Sequence, residues 1–149
     1  MGIVAENNGI ETAKPSGLNP DVLARLRNVE ILASLTNDDL QCLDAANHVF
    51  IPEGEFIARQ GEAAHFFYIL LAGQLRIYQT LPDGREAVVG MAPAGTALGE
   101  LPLLANIPNA ANVRATEACE VLQFDEQQFW SLMTVCPSVR KAILGNMAY

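Results

Sequence analysis

Positive charge is scarce in this chain. Its 149 residues include 9 lysines and arginines against 17 aspartates and glutamates, giving a formal net charge of −8. The basic residues form no cluster, so a polyphosphate would be repelled rather than drawn in, and this domain alone is not expected to bind nucleic acid. Cysteine is sparse as well. Cys42, Cys119 and Cys136 stand singly, odd in number, with neither CxxC spacing nor the even framework of a disulfide-stapled domain, and they read as buried hydrophobes. His48 and His65 are isolated, which leaves no ligand set on one strand face and predicts no metal. No window holds the ~18 uninterrupted apolar residues of a membrane span, so no membrane association is expected. The opening residues, MGIVAENNGIETAKPSG, lack the positive start and long apolar run of a signal peptide, which predicts a cytoplasmic protein.

Half of the residues are hydrophobic, enough for one domain with a sizeable core. Residues 1–17 read as a mobile polar lead-in and 18–149 as the domain. Asn19-Pro20 combines an N-cap with proline at the first helical position, predicting a helix from Pro20 to about Asn28 with Val22, Leu23 and Leu26 on one face. Thr36 and Asp39 form a capping-box-like pair that opens a second helix at Thr36, with Leu35 and Leu40 at staple positions and Leu40 and Leu43 continuing its apolar face. From Val49 to Phe124, short apolar runs broken by glycine and proline predict an all-β roll or jelly roll. Within it, alternation points Leu75 and Ile77 inward and leaves Arg76 and Tyr78 outside. Helical spacing returns at Asp125, which can cap a helix with Gln128 reaching back, its buried stripe being Phe129, Leu132 and Met133 joined by Trp130. Pro137 opens a last helix in which Val139, Ile143 and Met147 make one apolar face. The fold class is therefore mainly β, a jelly-roll-like β-roll flanked by helices.

The segment GTALGELPLLANIPNAANVRA, Gly95 to Ala115, has the layout of a pocket that holds a phosphate with backbone amides. Gly99 lets the backbone approach a ligand closely, and a short helix opening at Glu100 would turn free N–H groups toward an anion. Leu101, Leu103 and Leu104 anchor it, with Pro102 tolerable in the first turn. Pro108-Asn109-Ala110-Ala111 follows as a stiff turn with two small residues, before Asn112 to Ala115 reads as a strand.

This pattern resembles the phosphate-binding cassette of the cyclic nucleotide-binding domains, the family of the catabolite activator and of protein kinase A regulatory subunits. The resemblance runs from about Leu35 to Tyr149. It includes Ile51-Pro52-Glu53-Gly54-Glu55-Phe56-Ile57, Arg59-Gln60-Gly61-Glu62 and Phe67 to Ile77, with a hairpin at Asp83-Gly84. The glycines of these stretches read as turn residues needing positive φ, not ligand contacts. The resemblance implies that Glu100 accepts from a ribose hydroxyl. It implies that Gly99, Leu101, Ala110 and Ala111 shape the phosphate site, and that Ile77, Val89 and Leu98 meet ribose and base. Asn109 stands where the family carries the arginine that pairs with the cyclic phosphate. Asn is also an ordinary turn residue, and Glu100 has a second reading as a loop carboxylate capping backbone amides.

A sensory module that binds cyclic AMP, cyclic GMP or a related small ligand, with no metal, follows from the resemblance. Such a module signals through its last helix to an appended or partner output domain. In the family that helix lies over the pocket, and in bacterial transcription factors it forms a dimer seam. Here the apolar face suits either a lid over Leu98, Ile77 and Val89, with a homodimer contact, or a simple cap on the roll. A neutral amide in place of a charged fork weakens phosphate pairing. The alternative is a module of the same fold that has lost its ligand and acts through protein contacts. An enzyme is not expected, because Glu100 has no histidine or second carboxylate beside it in sequence.

Overall fold

The computed structural model describes residues 11–13 and 18–146. Along the chain, a helical layer lies between β1 (Glu11–Ala13) and the remaining strands. In α1 (Pro20–Leu26) the Asn19 side chain accepts from the Val22 amide at 2.8 Å, and Pro20 needs no partner for its missing donor. A 3-10 turn (Glu30–Leu32) leads to α2 (Asn37–Leu40), where Thr36 and Asp39 bond reciprocally as a capping box, and a further 3-10 segment (Gln41–Ala45) ends the layer. Leu26, Leu32, Leu40 and Leu43 are wholly buried.

Among the described residues there are nine strands: β1 (Glu11–Ala13), β2 (Asn47–Ile51), β3 (Phe56–Ala58), β4 (Phe66–Ala72), β5 (Gln74–Thr80), β6 (Glu86–Pro93), β7 (Ala97–Leu98), β8 (Asn112–Ala115) and β9 (Cys119–Asp125). They pair antiparallel in two sheets, ordered β1-β2-β9-β4-β7 and β3-β8-β5-β6. The helix α3 (Glu100–Ala105) lies between β7 and β8, and α4 (Glu126–Val135) and α5 (Pro137–Asn146) close the chain. This is the β-roll with flanking helices that the punctuation of the sequence implies. The lead-in expected over 1–17 lies mostly outside the described residues, but its described part is the edge strand β1. Met147 also lies outside them.

Two cores explain why Phe67 to Leu71 is a continuous apolar run rather than an alternating one. Phe67, Ile69 and Leu71 of β4, with Leu122 and Phe124 of β9, face the helical layer, where Val22, Leu26, Phe129, Val139 and Ile143 meet them. Tyr68, Leu70 and Val121 face the other way and pack against Leu75, Ala92, Val113 and Ala115 of the second sheet. A sheet covered on both faces has no polar side to alternate with. Gly73 makes the β4–β5 turn at φ +98°, where a Cβ would meet the Ala118 carbonyl at 2.6 Å, so only glycine fits.

Several expectations are corrected by the packing. Tyr78 is buried, not outside. The β5–β6 register shifts between Ile77 and Tyr78, and Arg76 lays its guanidinium 4.4 Å from the Tyr78 ring centre while pairing with Glu86 at 3.1 Å. Trp130 is exposed, meeting Phe129 edge-on at 5.5 Å while Phe129, Leu132 and Met133 fill the core. The last helix does not lie over Leu98, Ile77 and Val89. It packs on α4, α2 and the Glu30–Leu32 turn, because Val139 and Ile143 find the helical core nearer than the roll.

Cys42 and Cys136 are not separate hydrophobes: they form a disulfide across 94 residues, with Cα atoms 6.3 Å apart, and Cys119 stays a buried free thiol. The bond ties the Gln41–Ala45 segment to the junction of α4 and α5. Cross-linking a loop of this length restricts the unfolded chain strongly, so dithiothreitol or Cys42→Ser should cost about 2–4 kcal/mol of stability and lower the melting temperature. Identical melts with and without reductant would contradict this.

A second tie joins α1 to the sheet. Arg25 makes a bidentate pair with Glu120 at 2.7 Å on both oxygens and reaches Asp21 at 2.8 Å, while His48 bonds the same Glu120 carboxylate. The hydrogen bond from Arg25 is the main cause holding the Glu120 carboxyl below its ordinary value of 4.5. A depressed carboxyl contributes stability that is present above that ordinary value and lost as pH falls through the folded one. Glu120→Gln should therefore cost about 1–3 kcal/mol near neutral pH and flatten the loss of stability toward acid. Parallel stability-versus-pH curves for parent and variant would count against this pairing.

Candidate ligand-binding site

The turn before α3 sets the site. Gly99 takes φ +97°, and a Cβ there would lie 2.7 Å from the Phe66 carbonyl oxygen. Lacking one, the chain passes directly against the start of β4, while β7 pairs Leu98 with Tyr68. The six-residue α3 then buries Leu103 and ends at Asn106 in the left-handed region at φ 54°, a conformation asparagine tolerates. Beyond it, Asn109 is pinned to the β3–β4 loop by three hydrogen bonds. Its amide donates to the Glu62 carbonyl at 2.9 Å, its carbonyl accepts from Gly61 at 2.9 Å, and its side-chain Nδ2 donates to the Arg59 carbonyl at 3.1 Å. Gln79 donates to the Ala110 carbonyl at 3.0 Å and fixes the turn to β5.

These contacts enclose an open cavity of about 430 Å³, within the range of small-molecule sites. Its floor is apolar: Phe66, Tyr68, Ile77, Leu98 and Val113. One wall is the cassette, with Gly99, Pro102, Asn109, Ala110 and Ala111; the other is the β3 rim, where Phe56, Arg59, Glu62 and His65 supply an aromatic ring and the polar groups. Burial pushes the Tyr68 phenol far up, so it is a neutral hydroxyl at any working pH. The arrangement suits a flat, largely apolar ligand with a few hydrogen-bonding edges.

Of the residues singled out in the sequence, Ile77, Leu98, Gly99, Asn109, Ala110 and Ala111 meet at this cavity, and Val89, Glu100 and Leu101 do not line it. Val89 is the extra residue of the β5–β6 bulge, since Ile77 pairs with Gly90 and Tyr78 with Val88; it is 62% exposed. Leu101 turns to solvent on the outer side of α3, opposite the buried Leu103. Glu100 is half-buried at the start of the helix, with Oε1 inside the protein. Arg59, Glu62, His65 and Tyr68 line the cavity although their spacing carries no site signal. The pairing of the Asn109 turn with the β3–β4 loop, across about fifty residues of chain, is what brings the rim there.

The model of the cyclic nucleotide-binding domain matches residues 48–135, more than half of the chain. The chain belongs to the cyclic nucleotide-binding domain family. Its relatives include the potassium channel SKOR of Arabidopsis thaliana, 32% identical over 98 residues, 66% of this chain and 12% of the channel. The catabolite activator protein of Thermus thermophilus shares the fold, with a TM-score of 0.74 at 23% identity over 79% of this chain and 56% of that one. The regulatory subunit of a cAMP-independent protein kinase A from Trypanosoma cruzi, solved bound to guanosine, has a TM-score of 0.68 at 26% identity. That match covers 81% of this chain and 43% of the subunit. The chain thus spans a small part of the channel and about half of these regulators. Cyclic nucleotide-binding domains are regulatory modules, and a ligand-binding regulatory module is the coarse function of this one.

Gly99 is the position where the site is least tolerant. Gly99→Ala adds a methyl group against the Phe66 carbonyl in a backbone region that L residues rarely adopt, and should cost about 2–3 kcal/mol. An unchanged urea midpoint for the variant would show that the close approach is not required.

Proposed function

We propose that this domain is a sensory module that binds a nucleoside or cyclic nucleotide in the cavity beside Gly99 and reports occupancy through α5 to an appended or partner output domain. The observation that carries it is the convergence of the cassette, Gly99 and Asn109 to Ala111, with Ile77 and Leu98 around one apolar-floored cavity. The guanosine bound by the Trypanosoma cruzi regulatory subunit supports a nucleoside as a ligand type for this site. Family membership supports cyclic AMP and cyclic GMP.

The route to α5 runs through shared packing rather than through a lid. Phe66 of β4 borders the cavity, its neighbour Phe67 touches Phe124 and Phe129 of the helical core at 5.6 and 5.4 Å, and Ile143 of α5 lies in that same core. His65 at the cavity rim also sits 3.8 Å from Glu126 at the start of α4. Ligand pressing on this end of β4 would be felt at α4 and, past the disulfide at Cys136, at α5. Elements with few buried contacts respond most readily, and α5 rests on Val139 and Ile143 with Leu144 half exposed.

Titration calorimetry with adenosine, guanosine, cyclic AMP and cyclic GMP tests the binding, and hydrogen exchange tests the relay. Saturable binding of at least one of the four, with altered protection of amides from Ser138 to Asn146 on binding, is the expected result. Absence of heat with all four would overturn it and favour a module of the same fold acting through protein contacts.

A further inference from the structure

The cavity lacks what a cyclic phosphate needs, and this bears on which ligand it selects. Asn109 stands where the family resemblance puts a phosphate-pairing arginine, and one of the two N–H donors of its side-chain amide is already spent on the Arg59 carbonyl at 3.1 Å. The remaining N–H is neutral and offers an anion a weaker bond than a guanidinium fork would. The two nearby arginines do not replace it. Arg114 donates Nε to the Gly54 carbonyl at 2.8 Å and is not a lining residue, its side chain lying on the outer side of β8 while Val113 and Ala115 face the core. Arg59 borders the cavity, but its guanidinium sits 3.9 Å from the centre of the Phe56 ring, which Arg114 approaches from 5.0 Å. Glu62 also lines the rim, so the one arginine there is opposed by one carboxylate. A monoanion entering such a site gives up its hydration for no net charge.

We propose that the cavity selects an uncharged nucleoside over the corresponding cyclic nucleotide, its apolar floor taking the base and its polar rim meeting the sugar. The proposal rests on the ligand-binding role set out above. A nucleoside keeps the stacking surface and the sugar hydroxyls without the phosphate that finds no partner. Asn109 then acts as a specificity-determining residue: it holds the wall in shape and withholds the charge.

Calorimetry on the parent chain, Asn109→Arg and Arg59→Gln, each with adenosine, guanosine, cyclic AMP and cyclic GMP, decides it. The parent should bind a nucleoside at least about tenfold more tightly than its cyclic monophosphate, with an affinity insensitive to salt. Asn109→Arg should raise cyclic nucleotide affinity by about tenfold or more, in a salt-dependent manner, and leave nucleoside affinity without such a gain. Equal or tighter binding of a cyclic nucleotide by the parent would overturn the proposal while leaving the ligand-binding role standing. So would a tenfold loss of cyclic AMP binding in Arg59→Gln, which would make Arg59 the phosphate partner. If none of the four compounds binds the parent, both this proposal and the ligand-binding role fall.

Discussion

The close approach of Gly99 to the Phe66 carbonyl is the constraint on which the site depends. It lets β7 pair with β4, delivers α3 to the edge of the sheet, and leaves the chain from Ile107 to Ala111 to return across the mouth of the roll. A side chain at that one position would push the cassette off the strand. The apolar floor would then open to solvent and the Asn109 turn would lose its docking loop. Cavity and fold therefore share a single steric condition, satisfied by the only residue without a Cβ.

The strands β4 and β9 connect this site to the rest of the molecule, because both are buried on two faces. One face builds the inner core that floors the cavity; the other anchors the helical layer that carries α5. Two long-range ties then hold that layer in place, the Arg25–Glu120 pair with His48 and the Cys42–Cys136 disulfide. The ion pair is half-buried and hydrogen-bonded on both carboxylate oxygens, the geometry in which such a pair contributes most. The disulfide holds the junction of α4 and α5 to the N-terminal helices, so any response of α5 to ligand pivots about a fixed point at Cys136.

Local features were legible in the sequence because their partners are three residues apart. Asn19, Thr36 and Asp125 each cap the helix they announce. The turn glycines at 54, 61, 73 and 84 all adopt positive φ, and the cassette residues Gly99 and Asn109 to Ala111 come to one cavity with Ile77 and Leu98. What escaped the sequence depends on topology. Nothing in the spacing of Cys42 and Cys136 marks them as partners, and Glu120 finds Arg25 only because the fold brings β9 against α1 across 95 residues. Val89, placed at the site by resemblance, is an extra residue of β6 and lies outside the cavity, while Tyr78 is buried beside Arg76 rather than exposed. The rim residues Arg59, Glu62 and His65 were missed because a loop acquires its role from what the chain folds against it.

The central claim is that ligand enters beside Gly99 and nowhere else on the described surface. Backbone amide chemical shifts followed during titration with guanosine test it most directly. The account predicts perturbations centred on Ile77, Gly99, Ala110 and Ala111, with weaker ones spreading through β4 to α4. Shifts centred instead on the groove beside the disulfide, at Gln127, Gln128 and Ser131, would contradict it.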